Sequence, residues 1–294
     1  MKLFFTSLIL LLASTSLFAQ ADTPKSFTAN GVELTYIERG SGPVVILLHG
    51  GQADYRAWDY AMEYLSKSYR VISYSRRYNY PNKNPISGNP HSAYVEADDL
   101  AAFIDSLKLK RVHLVGTSIG AYTALIYAVR KPANVITLSI AEPNIHAWVK
   151  DTEAFKDFYN HAWLPAASAF RSGDDVAGMR FLVDKFGAPG TFDRMPPAAR
   201  EMAMHNTKFF KAATLSTDHS PDIEKRKVRR LKMPVLLIHG EKTGAMTRAI
   251  VEEFAKVMPT AERVEIKGAG HGSPREKPQE FIEAVGEFML RRTQ

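Results

Sequence analysis

The chain has 294 residues, 45% hydrophobic and 23% charged, which are the proportions of an ordinary globular protein and exclude disordered, collagen-like and coiled-coil readings. Lys and Arg number 38 against 31 Asp and Glu, so the net charge of +7 is a mild excess that bears on solubility and anionic surfaces rather than on fold. There is no cysteine, which removes disulfides, thiolate metal sites, iron–sulfur clusters, a cysteine nucleophile and a lipid-anchored N-terminal cysteine together.

At the N-terminus Lys2 precedes an apolar stretch from Leu3 to Leu12, broken only by Thr6 and Ser7. A Ser/Thr-rich segment and Ala19-Gln20-Ala21 follow. This is the layout of a secretory signal peptide over residues 1–21, and it predicts a mature chain that starts near Asp22 and is periplasmic or secreted. Thr6, Ser7, Ser14, Thr15, Ser16 and Gln20 dilute the segment too much for a retained anchor, and no later segment is long and apolar enough to span a bilayer. Stable membrane insertion is therefore not expected.

Asn30-Gly31 lies between the alternating residues of Phe27–Ile37 and predicts a hairpin with a tight turn. Short apolar runs then recur at Val44–Leu48, Arg70–Tyr74, Val112–Val115, Val135–Ala141, Val235–Ile238 and Arg263–Ile266. Continuous apolar runs suit strands buried on both faces, as in a parallel sheet. Helical spacing separates them: Ala97, Leu100, Ala101 and Ile104 follow a candidate N-cap at Ser92, and Phe281, Ile282, Val285, Phe288 and Met289 follow Pro278. Alternation of this kind over most of the chain predicts a doubly wound, mostly parallel α/β sheet. It is interrupted once. Residues 144–230 carry no strong strand signal, are rich in aromatics and are cut by Pro165, Pro189, Pro196 and Pro197, so they predict a helical cap inserted between core segments 22–143 and 231–294. Most of those aromatics are expected to form the insert's own core, with a few on its underside lining a pocket.

Gly116-Thr117-Ser118-Ile119-Gly120 follows the run Val112–Val115 and precedes helical spacing through Ala121, Ala124, Leu125 and Ala128. A G-x-S-x-G pattern is weak alone, but its strand-then-helix setting is the one a nucleophilic serine requires. The glycines permit a turn so sharp that side chains beside Ser118 would meet backbone, and the helix N-terminus favours negative charge nearby. A serine hydroxyl needs a base. Of nine histidines, His271 has the best setting, in the glycine-rich stretch Gly268–Gly272 directly after a strand and downstream of the serine. His49 and His239, at strand ends, read as structural; His91, His113, His146, His161, His205 and His219 lack that setting.

His49-Gly50-Gly51, Gly116–Gly120 and Gly270-His271, each at a strand end, resemble the α/β-hydrolase superfamily over essentially Phe27 to Arg292. The resemblance implies an α/β-hydrolase fold with serine chemistry, and it says little about substrate. It further implies that the backbone N–H of Ile119 is one oxyanion donor, and that the His49–Gln52 loop supplies the other, from Gly51, with the Gln52 amide as a further substrate contact. Members usually carry an aspartate three residues past the glycine that ends the seventh strand. Here that position is Thr243, which has no carboxylate. Some branches place the acid on the strand beside the nucleophile strand, which points to Glu142 after Val135–Ala141. Glu241, in the usual loop, is the alternative. Strand-tip position favours Glu142.

Ser75–Asn82 contains Arg76, Arg77, Tyr78 and Tyr80 and offers either a pocket wall, with Arg77 binding an anionic substrate group, or a solvated loop. The basic run Lys225–Lys232 reads as a solvated helix or linker, so no nucleic-acid partner is expected. No metal-ligand spacing and no phosphate-cradling glycine loop is present, and no cofactor is expected. Together these residues predict a serine hydrolase acting on a small or medium ester through an acyl-enzyme. Ser118 at the elbow argues against epoxide hydrolases and haloalkane dehalogenases, which the resemblance would give an aspartate there. A cofactor-free oxygenase and a non-catalytic ligand-binding protein are the alternatives on the same fold.

Overall fold

The computed structural model of the protein describes residues 23–86, 91–217 and 219–293. The expected signal segment lies outside the described residues. Within them the strands are β1 (Lys25–Ala29), β2 (Val32–Arg39), β3 (Val44–Leu48), β4 (Arg70–Tyr74), β5 (Val112–Thr117), β6 (Val135–Ala141), β7 (Val235–Gly240) and β8 (Glu262–Ile266). They form one sheet in the order β1-β2-β4-β3-β5-β6-β7-β8. β1 and β2 pair antiparallel, as do β2 and β4, and every other pairing is parallel. The β1–β2 hairpin turns at Asn30 (φ 50°) and Gly31 (φ 73°), the two successive positive φ values that a tight hairpin turn requires.

Alternate residues of each buried strand feed opposite faces of the sheet. Ile46, Leu48, Ile72 and Leu114 join one apolar core with α2 (Ala93–Ser106) and α3 (Ile119–Arg130). Val45, Leu47, Val71 and Val115 join the other with α1 (Asp59–Leu65) and the last helix, whose Phe281, Ile282, Val285, Phe288 and Met289 are buried at the spacing seen in sequence. Ser92 caps α2 by accepting a hydrogen bond from the Val95 N–H, as its position predicts.

Between β6 and β7 the described chain is helical: α4 (Glu153–Phe158), α5 (Leu164–Ser172), α6 (Asp175–Phe186), α7 (Thr191–Arg194), α8 (Pro197–His205), α9 (Thr207–Leu215) and α10 (Lys225–Arg229). A π-helical turn at Tyr159–Trp163 joins α4 to α5. After β7 come α11 (Ala245–Val257), α12 (Ser273–Glu276) and α13 (Pro278–Thr293). Side chains of the β6–β7 segment, among them Trp163, Phe186, Phe209 and Phe210, and the loops after β3, β5, β6 and β8 line one cavity of about 450 Å³.

The segment after β4 is neither the solvated loop nor the pocket wall that its sequence suggested. Arg76 is fully buried, and its Nη1 lies 3.1 Å from Oε1 of Glu96 on α2. Arg77 is also buried and holds both carboxylate oxygens of Asp99 through Nε (2.7 Å) and Nη2 (2.8 Å). Arg77 is not on the cavity wall, so its expected role toward an anionic substrate group is corrected. Its charge is already matched by Asp99 inside the protein, as a buried cation requires.

Candidate active site

Ser118 sits between β5 and α3 with φ 53° and ψ −123°, a backbone conformation rare for any residue with a side chain. The flanking glycines are steric necessities. A Cβ on Gly116 would lie 2.7 Å from the Gly120 carbonyl oxygen, and one on Gly120 would lie 2.4 Å from the Leu48 carbonyl oxygen and 2.5 Å from that of His49. The turn therefore packs directly against the end of β3, and Ser118 is raised into the cavity at the N-terminus of α3. The strained turn is held by its own backbone: the Ser118 N–H donates to the Ala141 carbonyl (2.9 Å), and the Ser118 carbonyl accepts from Tyr122 (3.0 Å) and Asn144 (3.3 Å).

His271 lies in the loop between β8 and α12, and its Nδ1 is 2.5 Å from Oε2 of Glu142. Glu142 follows β6 immediately, has φ 48° and is 1% exposed. Its other oxygen, Oε1, accepts the Gly240 N–H (2.8 Å) and the Thr243 hydroxyl. Burial alone pushes this carboxyl up. The hydrogen bond and charge of His271, the Gly240 N–H and the Thr243 hydroxyl outweigh it and hold the group below the usual carboxylate range. With Nδ1 donating to the carboxylate, Nε2 of His271 carries the free lone pair. The ring is also covered from above, because Phe186 at the end of α6 stacks on it with centroids 5.0 Å apart and planes 16° apart.

Glu241, the other expected acid, is elsewhere. Its side chain accepts from the Gly268 N–H (2.8 Å) and lies 3.4 Å from Lys267 Nζ at the surface. Arg248 donates to the Glu241 backbone carbonyl (2.7 Å).

The loop after β3 is fixed in several directions. Nε2 of the buried His49 accepts the Arg76 N–H (3.1 Å), so the ring proton is on Nδ1 and points to the Gly50 carbonyl (2.8 Å). Burial and the nearby Arg76 charge push the His49 pKa down to about 3, so the ring stays neutral. Arg76 donates Nε to the His49 carbonyl (3.2 Å) and Nη2 to the Gly50 carbonyl (3.2 Å). Asn79 Nδ2 donates to the carbonyls of Gly51 (3.1 Å) and Ala53 (2.9 Å). Gly51, Gln52 and Ile119 all face the cavity together with Ser118 and His271. A Cβ on Gly51 would lie 2.6 Å from Phe209 Cε1 and 2.8 Å from Phe210 Cζ, so α9 rests directly on this loop.

Sequence reasoning passed over four residues that the structure brings here. Thr243 was noted only for what it lacks. His91, His146 and His219 line the cavity, although none stands at a strand-end glycine. His146 follows β6 by five residues and His219 enters from the chain after α9, so no local spacing joins them. Among the described residues, no group of three or more His, Asp or Glu is arranged to hold a metal.

The sequence model of the "Alpha/beta hydrolase family" matches residues 45–284. The chain is similar to a putative 2-succinyl-6-hydroxy-2,4-cyclohexadiene-1-carboxylate synthase of Bacillus subtilis (strain 168), at 27% identity over 89% of this chain and 96% of the relative. It is also similar to epoxide hydrolase 3 of Mus musculus, at 22% identity over 89% of this chain and 75% of the relative. Among solved structures, the enol-lactonase from Burkholderia xenovorans LB400 superposes with a TM-score of 0.75 at 22% identity, covering 90% of this chain and all of that one. That last likeness speaks for the fold alone.

Proposed function

The chain belongs to the alpha/beta hydrolase family, and from that premise we propose that it is a serine hydrolase cleaving a compact ester through an acyl-enzyme. The observation that carries the reading is the contact of His271 Nδ1 with Glu142, which in the neutral ring makes Nε2 the proton acceptor, on the cavity wall that also holds the strained Ser118. In this reading Ser118 Oγ bonds to the carbonyl carbon while its proton passes to His271 Nε2. The oxyanion is met by the backbone N–H groups of Gly51 and Ile119, already fixed in place before charge develops. The intermediate collapses, the C–O bond to the alcohol breaks, and His271 gives its proton to the departing oxygen. Water then attacks the acyl carbon with His271 as base, releasing the acid and restoring the Ser118 hydroxyl. Glu142 holds the imidazole and balances its charge throughout.

The family hosts varied chemistry, and the two relatives above bear names of different reactions, so the bond type rests on the residues. Ser118 stands where the resemblance gives epoxide hydrolases an aspartate, which favours acyl transfer. A cavity of about 450 Å³ with aromatic side chains over it suits a small or medium substrate rather than a polymer. The reading includes export of the mature chain, on the composition of residues 1–21.

The test is labelling by a fluorophosphonate read by intact mass. One adduct that disappears in Ser118→Ala supports the reading, together with loss of more than about a hundredfold in ester turnover. Absence of an adduct on folded protein overturns it in favour of the cofactor-free oxygenase, seen as oxygen uptake, or of a binding protein, seen as ligand binding without turnover.

A further inference from the structure

His146 is 3% exposed and lines the cavity, yet neither Nδ1 nor Nε2 has a hydrogen-bond partner among the described residues. Its ring is surrounded by Phe155, Phe158 and Trp163 at centroid distances of 5.6, 5.3 and 6.4 Å. His219 meets it edge-on at 5.8 Å and itself stacks on Trp163 at 4.2 Å. A buried polar group left unpaired is destabilising, and a protein retains one where something else pairs with it. Were the position needed only for packing, a phenylalanine among these rings would serve better.

The two rings are held in place. The Ser220 hydroxyl donates to the Asn144 carbonyl (2.8 Å) and accepts the His146 N–H (3.3 Å), tying the segment after α9 to the segment after β6. The Asn144 N–H in turn donates to the Ser118 carbonyl, so this wall adjoins the nucleophile. Burial keeps the His146 pKa well below its ordinary value, and burial with the nearby His91 brings His219 to about 4, so both rings are uncharged near neutral pH. Lys242 and Arg275, the cavity's described cationic side chains, stand on other elements, in the loop after β7 and on α12. These two rings therefore offer no charge to a carboxylate or phosphate. Each neutral imidazole offers one donor and one acceptor, which a hydroxyl or an amide can match.

We propose that His146 and His219 form a specificity subsite beside Ser118 that hydrogen-bonds an uncharged polar substituent, a hydroxyl or amide, carried by a compact ester. The proposal rests on the serine-hydrolase reading and names its substrate class. A site built to pair with a polar group rejects the analogue that lacks it, because its own groups are then left unpaired.

The experiment uses two pairs of near-isosteric esters on the full mature protein. One pair varies the acyl half, p-nitrophenyl 3-hydroxybutanoate against p-nitrophenyl 3-methylbutanoate. The other varies the alcohol half, 2-hydroxypropyl butanoate against 2-methylpropyl butanoate. At least one pair is expected to favour the hydroxyl by about ten- to a hundredfold in kcat/KM. That ratio falls to near one in His146→Phe, mainly because the methyl-bearing analogue improves, and thermal stability does not decrease. A His146→Gln variant, which keeps a donor and an acceptor, retains part of the preference. Ratios near one in both pairs, on wild-type protein that is labelled at Ser118, overturn the subsite and leave the serine-hydrolase reading standing. So does an unchanged preference in folded His146→Phe. No labelling and no turnover of any of the four esters overturns both readings.

Discussion

Thr243 donates its hydroxyl to Glu142 Oε1, from the loop position where the family resemblance would place the acid itself. The carboxylate beside His271 stands at the end of β6 instead, and Thr243 supports it. Together with the Gly240 N–H, Thr243 fixes which oxygen of Glu142 faces His271. This makes Glu142→Gln a strong test. The two donors hold the amide oxygen on their side, so the amide nitrogen faces His271 Nδ1 and forces the ring proton onto Nε2. We expect kcat to fall by about 10³- to 10⁴-fold with the fold intact, since the ring is trapped in the wrong tautomer. Glu241→Gln leaves kcat unchanged. Thr243→Val lowers it by about tenfold, the size of one hydrogen bond to a charged group. Steady-state turnover of p-nitrophenyl butanoate checks all three, and a large loss in Glu241→Gln would reverse the assignment of the acid.

Phe186 couples the segment between β6 and β7 to the base, by stacking on His271 at 5.0 Å. An aromatic pair of this kind is worth about 0.5–1.5 kcal/mol beyond burial. Phe186→Ala is therefore expected to lower kcat/KM by about three- to tenfold. The fluorophosphonate labelling rate should fall in parallel, because the loss acts on the base and not on a particular substrate, while Phe186→Tyr stays near wild type. An unchanged labelling rate with a raised KM would make Phe186 a substrate contact only.

Much of the fold was readable because it rests on local rules. Val44–Leu48 is apolar without interruption since both faces of its strand are covered. Gly116 and Gly120 announce the turn because backbone occupies the space a Cβ would need. Ser118 and His271 stand out for the same reason, each beside glycines at a strand end. What the sequence did not reveal depends on pairing across distance. Arg76 and Arg77 look like a surface loop until Glu96 and Asp99 arrive from α2, where they read as its polar face. Thr243 gains its meaning from a residue 101 positions earlier, and His146 from Ser220 and His219 after the inserted helices. No periodicity encodes such meetings.

Buried neutral histidines predict acid sensitivity. His49 is held at about 3, His113 and His219 at about 4, and His146 well below 6.5, in each case first by burial. Their folded pKa values lie below the unfolded value, so between about pH 6.5 and pH 4 the unfolded chain binds protons that the folded one does not. Stability is therefore full above that window and falls as pH drops through it, by about 2 kcal/mol per histidine at pH 5. Glu142, whose folded pKa is lowered, adds its own loss below the usual carboxylate pKa. The urea midpoint should drop steeply from pH 7 to pH 5 at constant m-value; a flat midpoint would mean these rings are protonated in the folded protein.

In the proposed mechanism Arg76 sets the direction of the Gly51 oxyanion donor. It donates to the carbonyls of His49 and Gly50 from the buried side, and His49 Nδ1 points to the same Gly50 oxygen. Because the peptide between Gly50 and Gly51 is trans, fixing that carbonyl turns the Gly51 N–H to the opposite side, toward the cavity that Gly51 lines. Arg76 does not touch substrate; it is a positioning residue. Arg76→Lys keeps a charge against Glu96, but a single ammonium cannot span the carboxylate and both carbonyls. The expected result is kcat reduced by about 10- to 100-fold with KM nearly unchanged, the pattern of a transition-state donor out of place. Arg76→Met alone leaves Glu96 buried without its arginine, a loss of about 3–5 kcal/mol in stability that hides any effect on turnover. Arg76→Met combined with Glu96→Met removes both charges, so the fold should recover while turnover does not. Recovery of turnover in that double variant would show that Arg76 serves only to neutralise Glu96, and that the Gly51 N–H keeps its direction without it.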